Sequence, residues 1–329
     1  TVRFLAACAL AGRLQRTVSM TAAASLPVID SAVHVWSDGF PPYPWAVAPP
    51  PELSDAANYD KLHATASAAG VAGALIVQPI NHKYDHSYTD AALRAFPDFY
   101  KGMGLLDPSL SPVAAVAAID DLHTRGYVGV RFNAGAFSEH GGIDSPTSRA
   151  AYARCGQLGM VVGLMAFGGL RPHLPGLMAL ISASPPTSLV LDHLGFFRQP
   201  ATGGLLGDAA RNDETAWREI LALSSHPQVH VKVSALFRAS AEAPPFSDLA
   251  PRVEALLAAY GAERLLWGSD FPYCIRGGQA PTSVAQAYDQ AVAVPTFWRA
   301  AGLDEPALAM LMGGTAARLF KFAACKASS

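Results

Sequence analysis

The stretch RLLWGSDFP, residues 264–272, decides the fold class of this chain. It opens with the apolar run LLW, which is typical of a buried strand. The run stops at Gly268, and Pro272 then ends the strand because its ring fixes φ and removes a backbone donor. The sequence therefore predicts a strand that carries Asp270 at its C-terminal end, which is where parallel α/β proteins place their chemistry. The alternative role for Asp270 is to cap the following helix.

The same pattern recurs along the chain. Seven further apolar runs predict strands over residues 26–30, 71–79, 99–108, 127–133, 160–169, 188–195 and 229–237. Helices are expected over residues 54–70, up to residue 96, and over 112–126, 146–158, 173–183, 211–225, 247–260, 281–293 and 304–321. Eight strands that alternate with helices predict an α/β fold, a single-domain (β/α)₈ TIM barrel over residues 26–322. A doubly wound open sheet is the alternative, although no GxGxxG motif follows the first strand.

The charge and hydropathy of the chain indicate which classes of binding partner to expect. The 329 residues contain 24 Lys and Arg and 26 Asp and Glu, which gives a formal net charge of −2. No basic cluster indicates a nucleic-acid partner, and no apolar run reaches the roughly 18 residues that a membrane span needs. We therefore expect a small-molecule substrate and neither nucleic acid nor membrane as a partner. The oligomeric state stays open, with a homodimer as one alternative.

Polar side chains stand at nearly every predicted strand end. In a barrel these ends converge on one mouth, whereas the interior needs only branched apolar residues. So many polar groups therefore predict an active site. The side chains in question are Asp30, His34, Gln78, Asp107, Arg131, Asn133, Asp192, His193, Lys232, Ser234 and Asp270.

Several motifs, taken together, resemble those of amidohydrolase-related proteins (the amidohydrolase 2 family). They are VIDSAVHVW, GALIVQPINHKYDHS, GVRFN, LVLDHLG, VKVSALF, LLWGSDFP and MGGTAARLF. The resemblance runs from Val28 to Phe320 and is strongest to the lactonase-like branch and to plant and algal amidohydrolase-like proteins. It implies a TIM barrel of the metal-dependent hydrolase superfamily.

The two ends of the chain are expected to lie outside the barrel. Residues 1–25 contain Arg3, Arg13 and Arg16 and no acidic residue, a composition typical of an organelle transit peptide or a disordered leader. The plant and algal resemblance favours the chloroplast. The mitochondrion is an alternative, as is a cytoplasmic protein translated from Met20. Residues 323–329 are expected to form a tail.

The metal-binding residues are the main point at which the sequence departs from the family pattern. The first strand normally carries a His-x-His motif that binds a divalent metal with later histidines and the final Asp. Here Ala32 takes the first of these positions, and Met165 stands where the fifth strand would supply a ligand. Several lactonases of the resembled branch work without metal, so we expect none. One Zn²⁺ on His34, His193 and Asp270 is the alternative.

The resemblance implies a hydrolase that opens a lactone. The cationic residues Arg131, Lys232 and Arg238 at the mouth predict that the substrate is a small carboxylated molecule. Asp270 is predicted to be the general base that takes a proton from the attacking water. His193 and His34 are expected to be catalytic too and, with Arg131, to stabilise the oxyanion. The alternatives are a metal-dependent amidohydrolase or decarboxylase of the same superfamily, and a degenerate barrel that only binds.

Six residues are predicted to bind the substrate. The planar guanidinium of Arg131 matches a carboxylate in two hydrogen bonds, with a buried ion pair to Asp107 or Asp192 as its alternative. Lys232 is expected to contact a second carboxylate, or else to pair with Asp270. The other four predicted contacts are Asn133, His82, Lys83 and Arg238, and Tyr273 and Trp36 are expected to form pocket walls.

Overall fold

The structure is a computed structural model that describes residues 26–199, 211–276 and 283–323. The predicted leader over residues 1–25 and most of the predicted tail lie outside the described residues. Eight parallel strands pair in chain order and confirm the predicted (β/α)₈ barrel. They are β1 (Ile29–Val33), β2 (Gly73–Val77), β3 (Tyr100–Leu105), β4 (Gly129–Asn133), β5 (Val161–Met165), β6 (Leu189–Leu191), β7 (Val229–Ser234) and β8 (Leu265–Gly268).

Helices surround this sheet and cover the apolar outer faces of its strands. They are α1 (Tyr59–Ala68), α2 (Ser87–Ala95), α3 (Pro112–Thr124), α4 (Ala134–Ser138), α5 (Pro146–Leu158), α6 (Leu174–Ala183), α7 (Glu214–Ala222), α8 (Leu236–Ala239), α9 (Ala250–Tyr260), α10 (Val284–Ala293), α11 (Glu305–Ala309) and α12 (Thr315–Leu319). In the described part of the chain, none of these has the length and apolarity to span a bilayer.

Side-chain caps set several helix starts more sharply than apolar periodicity does. The first predicted helix was expected to begin at Ser54, but α1 begins at Tyr59 because Asn58 is its N-cap. The Oδ1 atom of Asn58 accepts a hydrogen bond from the Asp60 amide at 2.8 Å. Ser54 instead donates from its hydroxyl to the Pro51 carbonyl.

The barrel closes between β8 and β1 through a short seam rather than a full strand ladder. The Asp270 amide donates to the Ala32 carbonyl at 2.9 Å, and the His34 amide donates to the Phe271 carbonyl at 2.8 Å. Nearer the barrel floor, the Ser31 hydroxyl donates to the Trp267 carbonyl at 2.6 Å. The seam therefore joins the two strand ends that carry His34 and Asp270.

Asp30 lies within β1, so the prediction that the first strand ends there was wrong. Its side chain is fully buried, and burial raises the pKa of its carboxyl group. Oδ1 accepts hydrogen bonds from the Ala32 amide (3.1 Å) and the Ser269 amide (3.0 Å), and Oδ2 accepts one from the Tyr288 hydroxyl (2.9 Å). The Asp30 carboxyl group thus accepts hydrogen bonds from main-chain amides at the seam. It does not lie at the mouth of the barrel.

The last predicted helix, over residues 304–321, is interrupted in the structure. A π-helical turn, Met310–Gly314, separates α11 from α12. This segment packs across the barrel floor, where a Cβ atom on Gly313 would stand 1.7 Å from the Pro27 carbonyl oxygen. Only glycine allows this close approach. Ala316 and Phe320 then pack against the inward residues of the barrel, such as Leu75 and Leu266.

Candidate active site

A cavity of about 240 Å³ opens at the C-terminal ends of the strands. Every strand contributes to its wall at or just beyond its last residue, as expected for the mouth of a barrel. The lining consists of His34, Gln78, Pro79, Ile80, Asn81, Leu105, Arg131, Asn133, Met165, Phe167, His193, Phe196, Arg238, Asp270 and Tyr273.

Asp270 lies at the centre of this cavity, with 1% of its surface exposed. Its Oδ2 atom accepts hydrogen bonds from Nε (3.2 Å) and Nη2 (3.1 Å) of Arg238. Its Oδ1 atom lies 3.4 Å from Nε2 of His34 and 3.6 Å from Nε2 of His193. Arg238 therefore holds one carboxylate oxygen and leaves the other beside two imidazoles.

The charge state of Asp270 follows from these neighbours. Burial alone raises the pKa of the carboxyl group, but His193, Arg238 and His34 outweigh burial and hold the pKa well below its usual range. Among the described residues, the side-chain partners of Asp270 are the three just named. Asp270 is thus an ionised, buried carboxylate, as a general base requires.

His34 and His193 reach the cavity from two different strands, on either side of the strand that carries Asp270. His34 follows β1, and its Nδ1 atom donates to the Val77 carbonyl of β2 at 2.8 Å. His193 follows β6, and its Nδ1 atom lies 2.8 Å from Oγ of Ser234 at the end of β7. Burial lowers the pKa of His193 to about 4, so its imidazole is neutral at neutral pH.

His193 begins a left-handed turn that sets the direction of its ring. Four successive residues, from His193 to Phe196, have φ angles of 51°, 56°, 69° and 53°. Gly195 adopts such angles freely, but the other three residues do so at a cost. Strain of this kind is typical of functional sites, because the surrounding structure must impose it.

Arg131 reaches the cavity from β4 and belongs to a buried charge cluster. Its Nη2 atom lies 3.0 Å from Oδ2 of Asp192, and Nζ of Lys232 lies 3.0 Å from Oδ1 of the same carboxylate. Burial tends to raise the pKa of Asp192, yet the two cations lower it to about 2. Of the two acidic partners that the sequence offered to Arg131, the structure selects Asp192.

Lys232 was expected to contact substrate or to pair with Asp270, and the structure gives it neither place. It is fully buried, does not line the cavity, and pairs with Asp192. Arg238, in contrast, does line the cavity and holds Asp270. Asn133 also lines it, while its Oδ1 atom accepts from the Ala136 amide and caps α4.

The loop after β2 approaches the cavity through residues other than the predicted ones. His82 is buried outside the cavity lining, where its Nε2 atom accepts from the Ser37 amide at 3.3 Å. Lys83 is exposed to solvent and also lies outside the lining. Sequence reasoning missed Ile80 and Asn81, which do line the cavity.

Three further predictions about the mouth have different outcomes. Asp107 turns away from the cavity, and its Oδ1 atom accepts from the amide and hydroxyl of Ser109. Tyr273 is a cavity wall as expected, whereas Trp36 lies behind it and packs edge-on to its ring at 6.1 Å. The apolar wall also includes Phe196, which no sequence feature had marked.

The arrangement does not fit the metal centre that the family resemblance implies. Among the described residues, no group of three or more His, Cys, Asp or Glu side chains is arranged to hold a metal ion. Ala32 presents a methyl group where the motif has its first imidazole, and Arg238 occupies one oxygen of Asp270. We therefore derive no reaction step through a metal, and the expectation of a metal-free site stays a prediction.

A buried carboxylate beside two imidazoles, at the mouth of a (β/α)₈ barrel, places the protein among the barrel hydrolases. The chain belongs to the amidohydrolase family, because residues 29–322 match the family model Amidohydro_2, described as Amidohydrolase. The family assignment made from the sequence motifs is thereby confirmed.

Similar proteins support the lactonase-like branch. An L-fucono-1,5-lactonase of Burkholderia ambifaria is 28% identical over 257 residues, which cover 74% of this chain and 80% of the relative. A 4-sulfomuconolactone hydrolase of Rhizobium radiobacter is 28% identical over 205 residues, 62% of each chain. A crystal structure from Pseudomonas putida, assigned as a 2-pyrone-4,6-dicarboxylic acid hydrolase, has a TM-score of 0.67 and 26% identity and covers 90% of this chain and 98% of its own. The prediction of a hydrolase is confirmed.

Proposed function

We propose that this protein hydrolyses a lactone of a small carboxylated molecule and that Asp270 activates the water. One observation carries the proposal: Oδ2 of Asp270 is held by Arg238, while Oδ1 lies in the cavity within 3.6 Å of two imidazole nitrogens. The names of the similar proteins support the choice of a lactone as the bond that is cleaved.

The proposed reaction uses only side chains of the cavity. Water attacks the lactone carbonyl carbon while Oδ1 of Asp270 accepts its proton. The tetrahedral oxyanion is stabilised by the cationic guanidinium of Arg131 and by the imidazole of His193. The ring C–O bond then breaks, and the leaving alkoxide takes the proton back from Asp270. The product is a hydroxy acid, and the site returns to its starting state.

The charge of the site supports a carboxylated substrate. Arg131, Lys232 and Arg238 supply three positive charges around two carboxylates, those of Asp192 and Asp270. Burial lowers the pKa of Lys232; with its amine protonated, the three cations leave one positive charge in excess beside the cavity, where it attracts an anion. Ring opening adds a second carboxylate to the substrate, so the same charge also stabilises the developing product.

The size and walls of the cavity support a small cyclic substrate. Its volume of about 240 Å³ lies below the usual range of drug-sized ligand pockets, which begins at roughly 300 Å³. Met165, Phe167, Phe196 and Tyr273 line it with apolar surface. Such a wall excludes bulk water and fits the carbon face of a single ring.

The test is the variant Asp270→Asn, assayed on a panel of lactones with and without a carboxylate. We expect kcat to fall about 10²- to 10⁴-fold, because the amide accepts no proton. Asp107→Asn is the matched control: Asp107 also follows a strand end, but it lies outside the cavity lining. Full activity of Asp270→Asn on any lactone of the panel would refute the mechanism.

The same panel is run with a chelator, and the metal content of the purified protein is measured alongside. Turnover that survives chelation supports Asp270 acting without metal. Turnover that the chelator abolishes, together with about one Zn²⁺ per chain, would favour the metal-dependent alternative and would refute the proposed mechanism.

A further inference from the structure

The two cavity histidines differ in the group that contacts their inner nitrogen. Nδ1 of His34 faces a backbone carbonyl, that of Val77, whereas Nδ1 of His193 faces the hydroxyl of Ser234. A carbonyl only accepts hydrogen bonds, but a hydroxyl also donates. The partner of one ring nitrogen determines which nitrogen of a neutral imidazole carries the proton.

His34 must carry its proton on Nδ1 in order to donate to Val77. In the neutral ring, Nε2 then has a bare lone pair that lies 3.4 Å from Oδ1 of Asp270. Two acceptors that face each other need a donor between them. The attacking water meets this need, since it donates one O–H to the carboxylate and the other to His34.

The environment of His193 leads to the opposite tautomer. Ser234 is fully buried at the end of β7, and within the described residues its hydroxyl forms a hydrogen bond with Nδ1 of His193 and with no other group. The hydroxyl hydrogen therefore points at Nδ1, because a buried donor without a hydrogen-bond acceptor is energetically costly. His193 then carries its proton on Nε2.

The register of the sheet makes this contact a fixed one. Ser234 of β7 pairs with Gly268 of β8, two residues before Asp270. The serine that supports His193 and the strand that carries the carboxylate are therefore held in one ladder. Nε2 of His193 lies 3.6 Å from Oδ1 of Asp270, which is longer than a hydrogen bond, so its proton remains available to an incoming oxygen atom.

We propose that Ser234 is a positioning residue that fixes His193 as the Nε2–H tautomer, opposite to that of His34. The catalytic roles that follow from these tautomers rest on the proposed function. His34 accepts a hydrogen bond from the attacking water, and His193 donates one to the lactone carbonyl oxygen. With Nδ1–H directed at the Val77 carbonyl, the neutral tautomer of His34 has no proton on Nε2, so this proposal assigns the oxyanion to His193 rather than to both imidazoles.

The first test is direct and needs no substrate. Protein labelled with ¹⁵N-histidine is studied by NMR near pH 7, and His34→Gln and His193→Gln identify the two sets of ring nitrogens. We expect a protonated Nδ1 in His34 and a protonated Nε2 in His193. A protonated Nδ1 in His193 would overturn the proposal, whether or not the protein hydrolyses any lactone.

The second test is kinetic and compares Ser234→Ala with Ser234→Thr. Loss of the hydroxyl lets His193 populate both tautomers, so we expect Ser234→Ala to lower kcat about 10- to 100-fold with little change in KM. Threonine keeps the hydroxyl and should retain activity and tautomer. The control is Ser31→Ala, which removes another fully buried hydroxyl, one that donates to Trp267 at the seam.

The outcomes separate the inference from the proposed function. If the wild-type protein opens a lactone and Ser234→Ala does so at the same rate, the role of Ser234 is refuted and the role of Asp270 stands. If no lactone is opened while the NMR spectra show opposite tautomers, the substrate class is wrong and the tautomer assignment stands.

Discussion

The buried charge cluster of Arg131, Asp192 and Lys232 allows a sharp test of the electrostatics below the cavity. All three side chains are at most 5% exposed, and one carboxylate serves two cations. Asp192→Asn removes the only negative charge of the cluster and leaves two buried cations unpaired. Lys232→Met removes one cation at similar volume and leaves the pair of Arg131 with Asp192 intact.

The expected effects on stability differ strongly. Removing one partner of a buried ion pair typically costs about 3–5 kcal/mol, because the remaining charge stays buried without compensation. Asp192→Asn should show at least this loss. Lys232→Met leaves no charge of the cluster without a partner, because Asp192 keeps its ion pair with Arg131, and so it avoids this penalty. Lys232→Met should therefore change the free energy of unfolding by no more than about 1 kcal/mol.

Urea unfolding of both variants and of the parent protein, followed by circular dichroism at pH 7, is the assay. With a denaturant slope of about 3 kcal/mol per M, Asp192→Asn should lower the unfolding midpoint by about 1 to 2 M. The midpoint of Lys232→Met should stay within about 0.3 M of the parent. Equal losses in both variants would show that the pair of Arg131 with Asp192 does not balance the cluster by itself, which would refute this account of its stability.

Two further predictions concern acid stability and the seam. His86, His193 and His230 are buried, and burial lowers the pKa of each to about 4. The unfolded chain takes up these protons near pH 6.5, so the free energy of unfolding should fall as the pH falls from 6.5 towards 4. The expected loss is about 2 kcal/mol per histidine between pH 7 and 5. Identical urea midpoints at pH 7 and pH 5 would contradict this. Tyr288→Phe leaves Oδ2 of Asp30 buried without its donor and should cost about 1–3 kcal/mol. Its kcat should stay within twofold of the parent, and a selective loss of kcat would assign Tyr288 to the chemistry instead.

The number and order of strands could be predicted because each buried strand is a continuous apolar run between turn residues. The first strand was placed wrongly because Asp30 interrupts its apolar run. Besides the nearby Ala32 amide, the buried carboxyl group depends on donors at Ser269 and Tyr288, which are 239 and 258 residues away in sequence. No local sequence pattern predicts hydrogen bonds between residues so far apart in the chain.

The same limit applies to the site. The position of Asp270 after an apolar run was enough to predict that it lies at the mouth, because strand ends converge there. The partner of Lys232 was not predictable, since the direction of its side chain into the cluster with Asp192 depends on the sheet register. Phe196 was missed because an apolar side chain carries no chemical signal, although it lines the cavity.

The seam between β8 and β1 limits substitution at its two acidic residues in different ways. Asp270 contributes to closure through its main chain, since its amide contacts the Ala32 carbonyl. A new side chain at position 270 keeps this hydrogen bond, but it must tolerate a left-handed backbone, because φ there is 61°. Asp30 joins distant segments through its carboxyl group, so a replacement there must be matched at Tyr288 and in the backbone near Ser269. A designer who reuses this barrel is therefore restricted at position 270 by backbone conformation and at position 30 by hydrogen-bond partners.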